Sequence, residues 1–373
     1  MTYIHELTGW PDLSWDSESL VVPLAALRHK QGRHLGKMEA LGFELRAEAS
    51  LTALTEEVVK SSAIEGEHLN PEDVRSSIAR RLGLDIGGLT EPHRRVEGIV
   101  EIMLDATRTY EHPLTDERLF GWHAALFPTG RSGMHTITVG DWRKDGQSPM
   151  RVVSGPLGNE TVHFQAPQAE RLQAEMAQFF TWFNSDAPID PVLKSGIAHL
   201  WFVTIHPFDD GNGRIARAIA EMALSRADQS KDRFYSMSSG IEARRKDYYL
   251  QLESSQRSSL DITAWLTWFL DCLGKAIDAA DESLSNVLEK ARLWQKIMPR
   301  PVNERQRKII NRLLDNFVGH LTTSKYAKLA KCSSDTALRD IRELLERGII
   351  VKNSGGGRST SYRLAHSDEV EPG

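Results

Sequence analysis

Apolar positions recur at helical spacing through most of the chain. Residues 17–48 carry Leu20, Leu24 and Leu27, then Met38, Leu41 and Leu45, with few breakers, which predicts helix. A second helix is expected from 51 to about 64, stopping near Gly66. Asn70-Pro71-Glu72-Asp73 joins a capping side chain, a first-turn proline and acids facing the helix dipole, so it opens a helix to about 81. A loop follows at 83–88, then helices at about 91–110 and 115–126. Between 130 and 167 glycines and prolines become frequent. Two strand-like runs, 150–154 and 161–165, flank Gly155-Pro156-Leu157-Gly158-Asn159-Glu160 and predict a hairpin. Helices resume at 168–184 and 190–204. A loop from His206 feeds a helix at about 213–226, and further helices cover 241–256 and 261–296. Pro299-Arg300-Pro301 marks a boundary. Beyond it come helices at 304–315, 324–331 and 334–347, a strand at 349–352, a Gly355-Gly356-Gly357 turn and a strand at 360–364. The expected class is mainly α. A helical region (1–90) leads into a helical core with a β-hairpin (91–298), then a small C-terminal domain (301–364) and a flexible tail (365–373).

Composition narrows the picture only modestly. A chain of 373 residues has room for two or three cores. The apolar and charged fractions, 40% and 26%, are those of an ordinary globular protein, and a net charge of −5 is too mild for the whole surface to bind nucleic acid or acidic lipid. The first residues lack the basic start and apolar stretch of a signal peptide. The apolar run 193–205 is broken by Lys194, Ser195 and His199, so no membrane association is expected and the chain reads as cytoplasmic. Cys272 and Cys332 lie far apart. They read as two packed thiols rather than a disulfide or a metal site.

The densest chemistry is the run His206-Pro-Phe-Asp-Asp-Gly-Asn-Gly-Arg-Ile-Ala-Arg217. It holds a titratable base (His206), a hard-cation ligand (Asp210), a Gly211-Asn212-Gly213 turn and two arginines, Arg214 and Arg217. A base, a metal carboxylate and backbone N–H groups leading into a helix are the parts needed to handle a nucleotide polyphosphate. Gly211-x-Gly213-x-x-Ala216 also fits a dinucleotide fingerprint. There, however, the first glycine follows a strand directly, whereas here a five-residue loop intervenes and the chain shows no strand–helix alternation. No P-loop sequence occurs, and no second histidine falls at a useful spacing for a metal site built on His206 and Asp210.

His206-x-Phe208-x-Asp210-Gly211-Asn212-Gly213-Arg214-x-x-Arg217 resembles the signature of the Fic family (filamentation-induced-by-cAMP) without a departure. The resemblance implies an all-α Fic-type core and transfer of AMP from ATP to a Ser, Thr or Tyr hydroxyl of a target protein, or of the chain itself. It makes His206 the general base; an unperturbed histidine titrates near pH 6.5 and is largely basic at neutrality. Asp210 would hold Mg²⁺ against the α- and β-phosphates, Gly211 to Gly213 would form an anion hole, and Arg214 and Arg217 would neutralise the phosphate tail. Phe208 and Asp209 fall in the same ATP-binding run, with Phe208 expected to anchor the loop in the core. His199, seven residues upstream, is either a second catalytic group or a structural support. Tyr248 and Tyr249 fall where relatives approach adenine and ribose, with core packing as the alternative.

Ser61-Ser62-Ala63-Ile64-Glu65-Gly66 is a weak pattern alone, since a helix ending at glycine explains it. Beside the Fic-like run it resembles the family's inhibitory motif, through Ser61, Glu65 and Gly66. A Glu65 carboxylate paired with Arg217 would remove the arginine that seats the γ-phosphate. In some relatives the same glutamate helps water remove AMP, so de-AMPylation stays open. The hairpin at 150–165 fits the family's target-docking flap, or is simply an exposed hairpin. The Gly9-Trp10-Pro11 and Trp15-Asp16 region resembles an N-terminal extension of some Fic proteins.

Residues 301–364 resemble a winged helix-turn-helix, basic through Lys325, Lys328, Lys331, Arg339, Arg342, Lys352 and Arg358. Arg339, Arg342 and Arg358 are candidate DNA contacts. The alternative is a protein-docking or dimerisation module, so a homodimer also stays open. Two functions therefore compete: an autoinhibited AMP-transferase, and a DNA-binding regulator whose core senses nucleotide without transferring it.

Overall fold

Two helices form from the N-terminal periodicity, as expected, in the computed structural model, which describes residues 2–84, 94–144, 149–155, 160–297, 302–314, 320–353 and 360–365. Asp16 caps α1 (Ser17–Glu39) by accepting from the Glu18 and Ser19 amides. The chain then breaks at Gly42, whose extended backbone starts α2 (Phe43–Ile64). The expected break near residue 50 is absent because Ala47, Ala49 and Leu51 are good helix formers; the chain breaks at Gly42 instead, while Gly32 and Gly36 stay inside α1. Asn70 caps α3 (Pro71–Leu82) as its sequence predicts. Then come α4 (Arg94–Arg108) and α5 (Asp116–Leu126), capped by Thr115. Two short strands, β1 (Arg131–Ser132) and β2 (His135–Thr136), pair antiparallel; two residues each leave no alternation to read in sequence.

The expected hairpin forms from β3 (Arg151–Ser154) and β4 (Thr161–Gln165), with a bulge between Val152 and Val153 on one side of the ladder. Helices α6 (Leu172–Phe183), α7 (Pro191–Ile205) and α8 (Asn212–Asp228) follow. The expected 241–256 helix is two, α9 (Met237–Ala243) and α10 (Arg245–Gln256), because Arg244 leaves helical geometry at φ −123°, ψ 31°. Next is α11 (Thr263–Ile297). The remaining elements are α12 (Glu304–Leu314), α13 (Thr323–Ala330), α14 (Ser334–Glu346), β5 (Ile350–Lys352) and β6 (Tyr362–Leu364). Several expectations lie outside the described residues: the loop end at 85–88, the helix start at 91–93, the hairpin tip 156–159, the Pro299-Arg300-Pro301 boundary, the Gly355-Gly356-Gly357 turn, Arg358 and the tail from 366. No helix among the described residues is long and apolar enough to cross a membrane.

The chain divides into two compact units, Met1–Ala280 and Asp281–Gly373. In the first, α7 and α8 pack along each other at the centre, joined by the 206–211 loop. Ile197, Leu200, Phe202 and Ile205 of α7 and Ile215, Ile219 and Met222 of α8 are buried, and small Ala216, Ala218, Ala220 and Ala223 let neighbouring helices approach α8 closely. The Trp265 indole donates to the Gly196 carbonyl at 2.8 Å, tying α11 to α7.

A fully buried ionic cluster fixes the far end of α8. Arg233 donates to Glu221 at 2.8 Å and pairs with Asp228, which also accepts from Tyr235 at 2.8 Å. Burial pushes the Glu221 carboxyl up to about 8, with Arg233 opposing. Removing the arginine would leave buried Asp228 without its guanidinium partner and Glu221 without its donor. Arg233→Met is expected to cost about 3–5 kcal/mol in chemical denaturation; a loss under about 1 kcal/mol would show the cluster is dispensable.

The second unit has its own core of Ile309, Ile310, Leu321, Tyr326, Ala337, Ile341, Leu344, Ile350 and Tyr362. Asp340 on α14 is buried and accepts from Arg305 at 2.9 Å and from Tyr326 at 3.2 Å. The three helices and the β5–β6 hairpin carry Arg339 and Arg342 on the exposed side of α14.

Candidate active site

The loop between α7 and α8 is held from several directions. His206 ends α7 in left-handed geometry, φ 51°, and its amide donates to the Phe202 carbonyl at 3.0 Å. The ring lies with Nδ1 3.2 Å from the Val203 carbonyl. A carbonyl can only accept, so Nδ1 carries the proton and Nε2 is left as a free lone pair. Burial of the ring, helped by the nearby Arg143 guanidinium, lowers its pKa to about 4. The expectation of an ordinary value near 6.5 is therefore corrected downwards: the imidazole is neutral throughout the physiological range.

Buried Arg143 supports this geometry by donating to the His206 carbonyl at 2.8 Å and to the Pro167 carbonyl at 2.5 Å. Phe208 is fully buried and stacks on His123 with ring centroids 4.2 Å apart. His123 in turn bonds the Asp210 carbonyl at 3.2 Å. Asn212 is a staple: it accepts from the Phe208 amide at 3.0 Å and donates to the Phe208 carbonyl at 2.8 Å. Asp209 accepts from the Thr138 amide at 2.8 Å, so its carboxylate is committed to the loop after β2. Asp210 accepts from the Gly211 amide at 2.5 Å and from the Ser132 hydroxyl. Gly211 starts α8 at φ 81°, and a Cβ there would also come within 2.9 Å of the Phe127 ring. The first-turn amides of α8 have no intrahelical acceptor and form a positive cradle.

An acid from the chain itself lies in that cradle. A Cβ built on Gly213 would fall 2.1 Å from Glu65 Oε1 and 3.3 Å from Arg217 Nη1. Glu65 Oε1 accepts from Arg217 Nη2 at 2.9 Å, and Ser61 accepts from the same arginine through its hydroxyl (2.9 Å) and its carbonyl (2.8 Å). Burial is the largest single influence on the Arg217 pKa and tends to lower it, but the charge and hydrogen bond of Glu65, together with Tyr248 and Tyr249, outweigh it and raise the value. Arg217 Nη1 is buried with no hydrogen-bond partner among the described residues. Arg214, 5% exposed, pairs with Glu67 at 3.0 Å and lies over the Phe127 ring at 5.2 Å.

Ser61 and Glu65 are thus brought against Arg217 although about 150 positions separate them in sequence. Gly66 takes φ 83°. The Gly66 amide donates to Ala63 and the Glu67 amide to Ser62, which is a Schellman end to α2.

The tyrosines differ. Tyr248 is 2% exposed and its hydroxyl meets His199 Nε2 at 2.8 Å. It therefore has no free face for a base, and the core-packing alternative replaces the expected adenine contact. Burial lowers the His199 pKa to about 3, with Arg217 adding to the effect, so His199 is a neutral support within the core. Tyr249 is 40% exposed and donates to the Ile64 carbonyl at 3.1 Å, tethering the end of α2. Sequence reasoning did not single out Ser132, His123, Arg143 or Glu67. Among the described residues no cluster of three or more His, Cys, Asp or Glu could hold a metal.

Three family models match the chain. Residues 113–224 match the Fic/DOC family, residues 3–84 a domain of unknown function (DUF4172), and residues 312–365 the C-terminal domain of DIP2311-like transcriptional regulators. The protein adenylyltransferase Fic of Drosophila melanogaster is 25% identical over 234 residues, 62% of this chain; its counterpart in Drosophila virilis is also 25% identical over 62%. The chain spans 42–43% of the length of these relatives. A Fic family protein from Desulfovibrio desulfuricans G20 superposes with a TM-score of 0.52 at 22% identity, covering 94% of this chain and 97% of that one. A Fic-domain signalling protein from Bacteroides thetaiotaomicron gives 0.51 at 18% identity, covering 69% and 96%. At these identities the likeness is one of fold.

Proposed function

On the footing that residues 113–224 are a Fic/DOC-family domain, we propose that the chain is an autoinhibited protein adenylyltransferase. It moves AMP from ATP to a Ser, Thr or Tyr hydroxyl of a target protein. The observation that carries this reading is Arg217, with one face on Glu65 and Ser61 and an orphaned Nη1 beside the Gly213 cradle. A buried unpaired guanidinium N–H beside a helix N-terminus that already holds the Glu65 carboxylate fits a phosphate oxygen. His206 Nε2 takes the proton of the target hydroxyl as its oxygen attacks the α-phosphorus. The bond to the β-phosphate oxygen breaks, and pyrophosphate leaves. Asp210 would hold Mg²⁺, which supplies charge neutralisation on the phosphates. The α8 cradle and Arg214 orient the tail. With Glu65 on Arg217 the γ-phosphate lacks its seat, and the α-phosphate is held out of line.

Intact-mass analysis of Glu65→Gly with ATP and a cell lysate tests the reading. One AMP added to the chain or to a lysate protein is the expected result. ATP binding with no protein gaining AMP would favour a nucleotide sensor instead.

A second activity is proposed for the C-terminal unit, supported by the match to a transcriptional regulator domain and by exposed Arg339 and Arg342 on α14. We infer that α14 contacts DNA phosphates. Arg339→Ala and Arg342→Ala are each expected to weaken DNA binding across sequences and to reduce the slope of log affinity against log salt by about one. Unchanged slopes in a fluorescence anisotropy titration would remove these arginines from the interface.

A further inference from the structure

We propose that Glu67 is a second inhibitory acid, occupying Arg214 as Glu65 occupies Arg217. This rests on the reading of the α8 N-terminus as a triphosphate site. The same Schellman turn positions both acids. Glu65 is the last half-helical residue of α2, Gly66 takes the left-handed step, and Glu67 follows with its amide on the Ser62 carbonyl. One turn therefore delivers two carboxylates to two arginines that lie three residues apart on α8, at 2.9 Å and 3.0 Å.

The two pairs differ in setting. Arg217 is enclosed by Ser61 and by the body of α2, whereas Glu67 is half-exposed with a side-chain exposure of 45%. Arg214 does not depend on Glu67 for its position: its guanidinium lies over the Phe127 ring and its stem is buried. Nor does the helix end need the Glu67 side chain, since only its backbone amide closes the turn. Asp210, the other acid near Arg214, stands 3.8 Å away and is already bonded by Ser132 and the Gly211 amide. The Glu67 carboxylate therefore has Arg214 as its partner, and a nucleotide's phosphate tail must displace it. Glu65 governs alignment of the reacting phosphate. Glu67 adds an affinity barrier that acts on the β- and γ-phosphates together.

Calorimetric titration of the full chain with a non-hydrolysable ATP analogue and with AMP tests this, using Glu67→Gln and Glu67→Ala. An exposed-to-buried ion pair of this kind predicts a two- to fivefold tighter analogue affinity, roughly, in both variants. AMP affinity should stay unchanged because AMP lacks the phosphates that compete. An analogue affinity equal to that of the wild type, or an equal gain for AMP, would overturn the proposal. Neither arm needs turnover, so failure of Glu65→Gly to transfer AMP would count against the enzyme reading and leave Glu67 to be decided by binding. In the Glu65→Gly background, adding Glu67→Gln should lower the ATP concentration for half-maximal transfer by the same factor.

Discussion

Glu65→Gly should raise the initial rate of AMP transfer by about a hundredfold or more. In the wild-type chain Arg217 is bound on three sides by α2, through Ser61 Oγ, the Ser61 carbonyl and Glu65 Oε1. The substitution removes the charge that competes with the γ-phosphate and empties the space over Gly213. It leaves both Ser61 contacts, so Arg217 stays in place with a second donor freed. Stability should change little, because Glu65 is 31% exposed at its side chain and glycine is well tolerated at a helix C-terminus. The gain arises from alignment rather than affinity, so it should appear mainly in kcat. Equal initial rates for wild type and variant under saturating ATP would show that the Glu65–Arg217 pair is a structural contact and not a brake.

His206→Ala, introduced into the activated Glu65→Gly chain, is expected to lower the rate by about 10²–10⁴-fold while ATP affinity stays within a factor of about two. His206 Nε2 is the lone pair left free after Nδ1 has bonded Val203, and no other neutral imidazole of the loop offers one. His199 is sealed against Tyr248 and His123 is stacked under Phe208. The pH profile is a second check on the same residue. Its lowered pKa means that the basic form is fully present above about pH 5 and is lost as pH falls through about 4. A transfer rate that is flat from pH 6 to 8 is therefore expected. An inflection near 6.5 would mean that the ring is solvated during turnover.

The candidate site was legible in the sequence because it is local. His206 to Arg217 occupy one loop and the first turns of one helix, so their spacing alone sets their relation. The contact of Ser61 and Glu65 with Arg217 was legible only through the resemblance, since a Ser-x-x-x-Glu-Gly run is also an ordinary helix end. Glu67 was missed because that motif stops at Gly66, although the turn that places Glu65 necessarily carries the next acid with it. Ser132, His123 and Arg143 reach the loop from elements more than 60 positions upstream, and no periodicity reports such contacts. Adjacent Tyr248 and Tyr249 point about 100° apart on a helix, so one had to be buried. Which one it was depends on the packing of α10 against α7 and α11. The split at Gly42 instead of residue 50 shows the same limit: periodicity marks the helical face and does not say where the helix is cut, since Gly32 and Gly36 lie inside α1 uncut.

We propose that this loop transfers AMP and that the chain's own α2 holds it off. Label transfer from ATP to protein by the Glu65→Gly chain tests that most directly, with the phosphorus label at the α-position in one reaction and at the γ-position in the other. Protein-bound label from α-labelled ATP, none from γ-labelled ATP, and far less with the wild-type chain is the predicted result. Incorporation from the γ-position, or α-label incorporation no greater than that of the wild type, would contradict it.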